Sequence, residues 1–168
     1  CASEPASGGD NLFLDQDIAY ILLRDTDPAF IRALMQPDAM TIPANEADGQ
    51  VIRPEQSGPV FSVDAHSGAL HMRYTARTRS IRWKDDDITR HAVGFLADLL
   101  ASDSAYVFRH RLHAGQGIIC NNVLHKREAF ADDAAAGQER LLFRARYHDR
   151  IRQTGPDCSQ TGVTGCSG

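Results

Sequence analysis

Two periodicities divide the chain. From Asp15 to about Met35 apolar residues recur at helical spacing. From Met40 onward they come mostly in short alternating runs broken by turn residues. Ile18, Ile21, Leu22 and Leu23 make the segment Asp15 to Arg24 apolar on most sides, which predicts a buried helix. Asp27-Pro28 then reads as an N-cap followed by proline at the first helical position, where its missing N–H costs nothing. A second helix is expected to run to about Met35, with Phe30, Ile31 and Leu34 inward. Residues 1–10 are small and polar, end in Gly8-Gly9-Asp10, and read as a loop.

The later pattern predicts a brief strand at Met40 to Pro43, a polar turn at Asn45 to Gln50 and a strand at Pro59 to Val63, followed by the turn His66-Ser67-Gly68. In Ala69 to Thr75, Leu70, Met72 and Tyr74 alternate with His71, Arg73 and Thr75, the period of a half-buried strand. Ser80 to Trp83 continues that strand or pairs with it. One amphipathic helix interrupts the series. Asp87 is its expected cap, and Ile88, Ala92, Val93, Phe95, Leu96, Leu99 and Leu100 form its stripe. Strands are then predicted at Ala105 to Leu112, Ile118 to Asn122 and Arg140 to Tyr147. The turn Ala114-Gly115-Gln116-Gly117 and a loop at 132–137 separate them. The tail from Thr154 is rich in Gly, Ser and Thr and is expected to be flexible. Residues 1–153 thus read as one domain and 154–168 as its tail. Many short strands around one core, with helices inserted, predict a mainly β fold of the sandwich or jelly-roll kind.

Composition narrows the function classes. The chain has 168 residues, 42% of them hydrophobic, enough for one domain with a real core. Its net charge is -4, so no basic excess argues for nucleic acid or an anionic membrane as a partner. No apolar run is long enough to span a bilayer. The four cysteines (Cys1, Cys120, Cys158 and Cys166) have no zinc-ligand spacing. They read as reduced thiols of a cytoplasmic protein, and nothing argues for a disulfide between Cys158 and Cys166.

The segment from Arg109 to Arg150 carries the candidate chemistry. A strand and a glycine turn lead to Asn121-Asn122 and then to His125; a strand opening with Arg140 follows, with Arg144 next. In a regular strand Arg140, Leu142, Arg144, Arg146 and His148 share one face, and Leu141, Phe143, Ala145 and Tyr147 the other. Two readings of the cationic face stay open: solvated arginines over a core, or the lining of a cavity for anions. Arginine offers a rigid fork for carboxylates. Arg140 and Arg144 lie about 13 Å apart along a strand, too far to grip one carboxylate. His125 alone reads more readily as a structural or surface residue than as a ligand; its value comes from its position before the arginine strand.

The runs NNVLHKREAF and RLLFRARY resemble the C-terminal signature of the TauD/TfdA-like, clavaminate-synthase-like dioxygenases. GPVFSVD and HMRYTARTRSIRW resemble the strand region before that family's inserted helix. The resemblance spans roughly residues 8–151. It implies a partial double-stranded β-helix, iron(II) as metal, 2-oxoglutarate as co-substrate and a small-molecule substrate. It is compatible with a homo-oligomer. It implies His125 as the distal iron ligand, Arg140 as the anchor of the far 2-oxoglutarate carboxylate and Arg144 as a substrate contact. The arginines at 73, 77, 79, 144 and 146 hint at an anionic or carboxylated substrate, with solvated strand positions an equal reading for the first three.

Two features depart from the family pattern. Cys120-Asn121-Asn122-Val123 replaces Asp-Asn-x-Arg, and the stretch before His125 is two residues short. The family's other two iron ligands form an HxD or HxE motif, and none of the seven histidines (His66, His71, His91, His110, His113, His125 and His148) begins one. The expectation is an N-terminally truncated fragment, inactive alone, of a dioxygenase that forms succinate and CO2. Two alternatives compete with it. One is a metal-free jelly-roll module binding a carboxylate ligand. The other is different metal chemistry on a cupin-like barrel, using His110, His113 and His125.

Overall fold

The computed structural model describes residues 1–47, 49–75, 81–147 and 151. It opens with β1 (Ser7–Gly8) and β2 (Asn11–Leu14). Helix α1 (Gln16–Thr26) begins at Asp15, whose carboxylate accepts from the amides of Asp17 (2.7 Å) and Ile18 (3.4 Å). Asp27 ends α1 and caps α2 (Pro28–Leu34). Its backbone is extended, as the residue before proline prefers, and its carboxylate accepts from the Ala29 amide at 2.8 Å. Both helices stand where the helical spacing predicts them.

Seven short strands follow: β3 (Met40–Ile42), β4 (Asn45–Ala47), β5 (Gln50–Arg53), β6 (Gln56–Gly58), β7 (Phe61–Val63), β8 (Leu70–Met72) and β9 (Arg82–Trp83). They lead to α3 (Asp87–Ala101). Its cap is Asp86, one residue earlier than the sequence suggests. The Asp86 carboxylate accepts from the Thr89 amide at 2.7 Å, and that bond holds its pKa below the usual carboxylate value. After α3 come β10 (Phe108–His110), β11 (Leu124–Arg127) and β12 (Phe130–Ala131).

All pairings are antiparallel. The sheets are β10-β2-β11, β6-β3-β9, and the pairs β4-β5, β7-β8 and β1-β12; none closes into a barrel among the described residues. The core is the space between the helices and strands β2, β3, β7, β8 and β11. Leu14, Leu23, Leu34, Met40, Phe61 and Leu96 are fully enclosed there, and Tyr20 meets Phe61 edge-on at 5.4 Å. Short strands outnumber helices, as the alternation predicts. No helix among the described residues is long and apolar enough to cross a membrane.

Several expectations need correction. Residues 45–50 are not a simple turn: their polar ends pair as the β4-β5 hairpin, with Gly49 at positive φ in the bend. Arg82 and Trp83 pair with β3, not with β8, and Ser80 lies outside the described residues. Only residues 108–110 of the strand expected from Ala105 form a ladder. The strands expected at Ile118 to Asn122 and Arg140 to Tyr147 do not form. In the second, only Leu141 is paired, in a bridge to Ser3. Alternation sets the two faces of a strand, but the backbone needs a neighbour to bond. Beyond Leu141 none is present among the described residues, so Phe143 and Tyr147 stay 77% and 79% exposed. The shared face of Arg140, Leu142, Arg144 and Arg146 therefore does not arise. His148, Arg77, Arg79, Cys158, Cys166 and the tail from Thr154 lie outside the described residues.

Candidate active-site cleft

Asn122 fixes the approach to His125. Among the described residues it alone, glycines aside, has a positive φ (30°), a region asparagine tolerates better than branched residues do. The turn brings its side-chain amide between α1 and β8. Nδ2 lies 2.8 Å from the Met72 carbonyl, 3.1 Å from Gln16 Oε1 and 3.1 Å from His71 Nδ1. Gln16 is buried and donates in turn to the Leu70 carbonyl at 2.7 Å. Next to it, the Asn121 side chain exchanges two 2.8 Å bonds with the backbone of Ile151. The double asparagine thus acts as a polar clasp at the start of β11.

β11 is an edge strand. Leu124 and Lys126 face the core side with Leu12 and Leu14, while His125 and Arg127 share the other face with Phe13 and Asn11. Along its free edge runs a cleft of about 1090 Å³. Its floor is apolar, from Ile42, Met72, Ile81 and Leu100, with the Tyr74 phenol beside them. Burial raises the pKa of that phenol, so it stays a proton donor at neutral pH. The walls carry His125 and five cations: Arg53, Lys126, Arg127, Arg144 and Arg146. No carboxylate lines the cleft among the described residues.

His125 and Arg144 therefore share one cleft. His125 is exposed, with Nδ1 3.2 Å from the Val123 carbonyl. A carbonyl only accepts, so in this contact Nδ1 carries the proton, and a neutral ring presents the Nε2 lone pair outward. Arg140 does not line the cleft. Its guanidinium lies 5.4 Å from the Phe130 ring centroid, its backbone amide donates to Asp132 at 2.9 Å, and its Nε passes 3.8 Å from where a β-carbon on Gly9 would stand. Arg73 is neither solvated nor in the cleft. It is half-buried and donates to the carbonyls of Met40 (2.6 Å) and Gly58 (3.1 Å), and desolvation lowers its pKa.

An iron centre does not fit on these residues alone. No group of three or more His, Cys, Asp or Glu residues among those described could hold a metal, and His125 is one ligand where three protein ligands are needed. The cupin-like alternative fails the same test. His110 stacks on Phe108, while His113 lies 3.0 Å from Glu4, away from the cleft.

Several residues of the cleft and of the clasp beside it escape the sequence reading. Gln16 stands on the inward stripe of α1 with Ala19 and Leu23, and a polar residue on such a stripe is a detectable signal. Lys126 and Arg127 sit inside the quoted run but follow no motif. Arg53 reaches the cleft only through the β4-β5 hairpin, which no local pattern announces.

A sequence model of the family described as "Taurine catabolism dioxygenase TauD, TfdA family" matches residues 1–146. A uridine-5'-phosphate dioxygenase from Amycolatopsis sp is 30% identical over 162 residues, covering 90% of this chain and 54% of that protein. The chain spans about half the length of that relative. With the match running through the clasp, His125 and both arginines, the chain belongs to the TauD/TfdA family of dioxygenases.

Proposed function

We propose that these residues form the C-terminal half of the catalytic domain of an iron(II)- and 2-oxoglutarate-dependent dioxygenase with a jelly-roll fold. It oxidises a small anionic substrate as 2-oxoglutarate becomes succinate and CO2. The HxD or HxE pair comes from polypeptide other than these 168 residues, and the chain alone is inactive. His125 is the distal iron ligand, Arg140 the partner of the far 2-oxoglutarate carboxylate and Arg144 a substrate contact. The observation that carries this reading is the His125 imidazole, oriented through Nδ1 with Nε2 free, at the edge of a cleft rich in cations. Arg140 has no carboxylate partner for its side chain among the described residues, as a guanidinium kept for a ligand requires. The name of the Amycolatopsis relative agrees with an anionic substrate. The unpaired thiols of Cys1 and Cys120 suit a reducing, cytoplasmic setting.

The test compares the 168-residue chain with the same chain joined in frame to an HxD/E-bearing half from the family. The chain alone should hold no stoichiometric iron and consume no 2-oxoglutarate. The joined protein should do both. His125→Ala should abolish iron retention. Arg140→Ala should raise the 2-oxoglutarate requirement on the order of a hundredfold, with Arg140→Lys a poor substitute. Ligand binding by the chain that ignores chelators, with no iron in the joined protein, would support the metal-free binding module instead.

A further inference from the structure

We propose that Phe130 is a positioning residue for Arg140: its ring holds the guanidinium in place for the far carboxylate of 2-oxoglutarate. The inference rests on Arg140 having the role proposed above. Arg140 cannot take its orientation from a sheet. The strand expected from Arg140 to Tyr147 does not form, and the pairing there is a single bridge from Leu141 to Ser3. The Arg140 amide donates to Asp132 at 2.9 Å, which fixes the backbone and leaves the long side chain free to turn. Holding an arginine costs side-chain entropy, so a guanidinium already held before its ligand arrives binds more tightly.

Phe130 supplies that hold. The Arg140 guanidinium carbon lies 5.4 Å from the ring centroid, within the range of a cation–π contact. The ring has a fixed setting of its own. Phe130 is half-buried and opens β12, where it pairs with Gly8 of β1. Gly8 and Gly9 both take positive φ, and the Gly9 amide donates to the Ala129 carbonyl at 3.0 Å. A β-carbon on Gly8 would collide with that carbonyl, and one on Gly9 would stand 3.2 Å from Pro5 Cγ and 3.4 Å from Phe130 Cβ. The two glycines thus let residues 5–9 close on Phe130. Phe130 stands outside the buried core cluster, so its packing serves this contact rather than the interior. Arg127 lies over the same ring at 4.4 Å. Neither guanidinium has a carboxylate partner among the described residues, whereas Arg82 meets Glu55 at 2.6 Å and Arg109 meets Glu128 at 2.8 Å. Two unpaired cations on one ring repel, and an anion arriving at Arg140 relieves that repulsion. A ring holds the guanidinium without occupying its forked N–H groups, as a carboxylate would.

Two measurements test this. In the 168-residue chain the Nε–H proton of Arg140, assigned by its loss in Arg140→Lys, should resonate upfield of the solvated arginines through the ring current of Phe130. Phe130→Leu should abolish that displacement and Phe130→Tyr should keep it. In the chain joined to an HxD/E-bearing half, Phe130→Leu should raise the 2-oxoglutarate concentration for half-maximal turnover about tenfold. There kcat and iron retention should stay unchanged, with Phe130→Tyr close to the parent. In an Arg140→Ala background Phe130→Leu should add nothing, whereas a ring that only supported the fold would cost the same in both backgrounds. An Arg140 signal indifferent to Phe130→Leu, or a Phe130→Leu cost that persists in full without Arg140, overturns the proposal. The two readings fail separately. An indifferent signal in a protein whose 2-oxoglutarate requirement still depends on Arg140 removes the positioning role alone. Loss of the displacement in Phe130→Leu, with no effect of Arg140→Ala on the 2-oxoglutarate requirement, leaves the stack standing and removes the assignment of Arg140 to 2-oxoglutarate, and with it the purpose given to the stack.

Discussion

The helix-packed region and the segment from His113 to Tyr147 are built from similar patterns with opposite outcomes. In the first, the stripes of α1, α2 and α3 face one another and strands β3, β7 and β8, and Leu23, Leu34 and Leu96 are completely enclosed. In the second, Ile119 is 75% and Phe143 77% exposed although both lie in apolar runs. The difference is in what a pattern needs. A helix bonds its own backbone and asks only for one apolar surface to lie on. A strand asks for a bonded neighbour and for a covering layer. Strands β3, β7 and β8 find bonded neighbours in β6, β9 and each other, and cover in the helices. The later segment finds β2, β1 and a single bridge at Leu141.

The sharpest way to break this comparison is to truncate one side chain in each region. Leu96→Ala should cost about 2–5 kcal/mol, since it opens a cavity in a fully enclosed position. Phe143→Ala in the 168-residue chain should cost less than about 0.5 kcal/mol, as exposed positions do. Urea unfolding measures both. In the protein joined to an HxD/E-bearing half, the Phe143→Ala cost should rise severalfold as that side chain gains cover. An equal, small cost in both proteins would mean the segment is not waiting for a covering layer.

A smaller effect is expected at the seam between the regions. Asn122 ties β11 to α1 and β8 through the Met72 carbonyl and Gln16. Asn122→Ala removes that donor, leaves buried Gln16 short of a partner and keeps a β-carbon at positive φ, for a cost of about 1–3 kcal/mol. Asn122→Gly removes the same donor but relieves the backbone, so it should cost about 1 kcal/mol less. If glycine proves as costly as alanine, the backbone contributes nothing and the amide bonds carry the seam alone.

The legibility of the sequence follows the same division. Asp15 and Asp27-Pro28 announce the first two helices because capping is local: each carboxylate bonds amides two or three residues ahead. The alternation of Leu70 and Met72 finds β8 for the same reason, its partner β7 lying just across a turn anchored by Asp64. The run from Arg140 to Tyr147 reads as well as any of these and still does not pair, because its alternation says nothing about a neighbour. For the site, the motif points to His125, Arg140 and Arg144, and two of them share the cleft. Arg53 was illegible because a hairpin brings it there from a distant stretch of chain, and Lys126 because edge-strand exposure is decided by sheet order.

The smallest predicted effect concerns how the outer segment is held at all. Where apolar cover is missing, polar contacts to residues 1–4 do the holding. Ala2 and Ser3 bond Leu141, and the Glu4 carboxylate accepts from the Ala114 amide at 3.0 Å and lies 3.0 Å from His113 Nδ1. The Ala114 bond first, and the His113 bond next, lower the Glu4 pKa from its ordinary value. A depressed carboxyl stabilises the fold at pH values above its unfolded pKa, and that contribution disappears as pH falls through the lower folded value. Glu4 is only partly buried, so the change should be slight and confined to the acid limb, below the ordinary carboxylate range. Amide exchange followed down the pH scale should show Ala114 and Leu141 losing protection before Leu96, and Glu4→Gln should reduce that early loss. Simultaneous loss at all three amides would show that the two regions open as one unit, and that the contacts to residues 1–4 add nothing the core does not already provide.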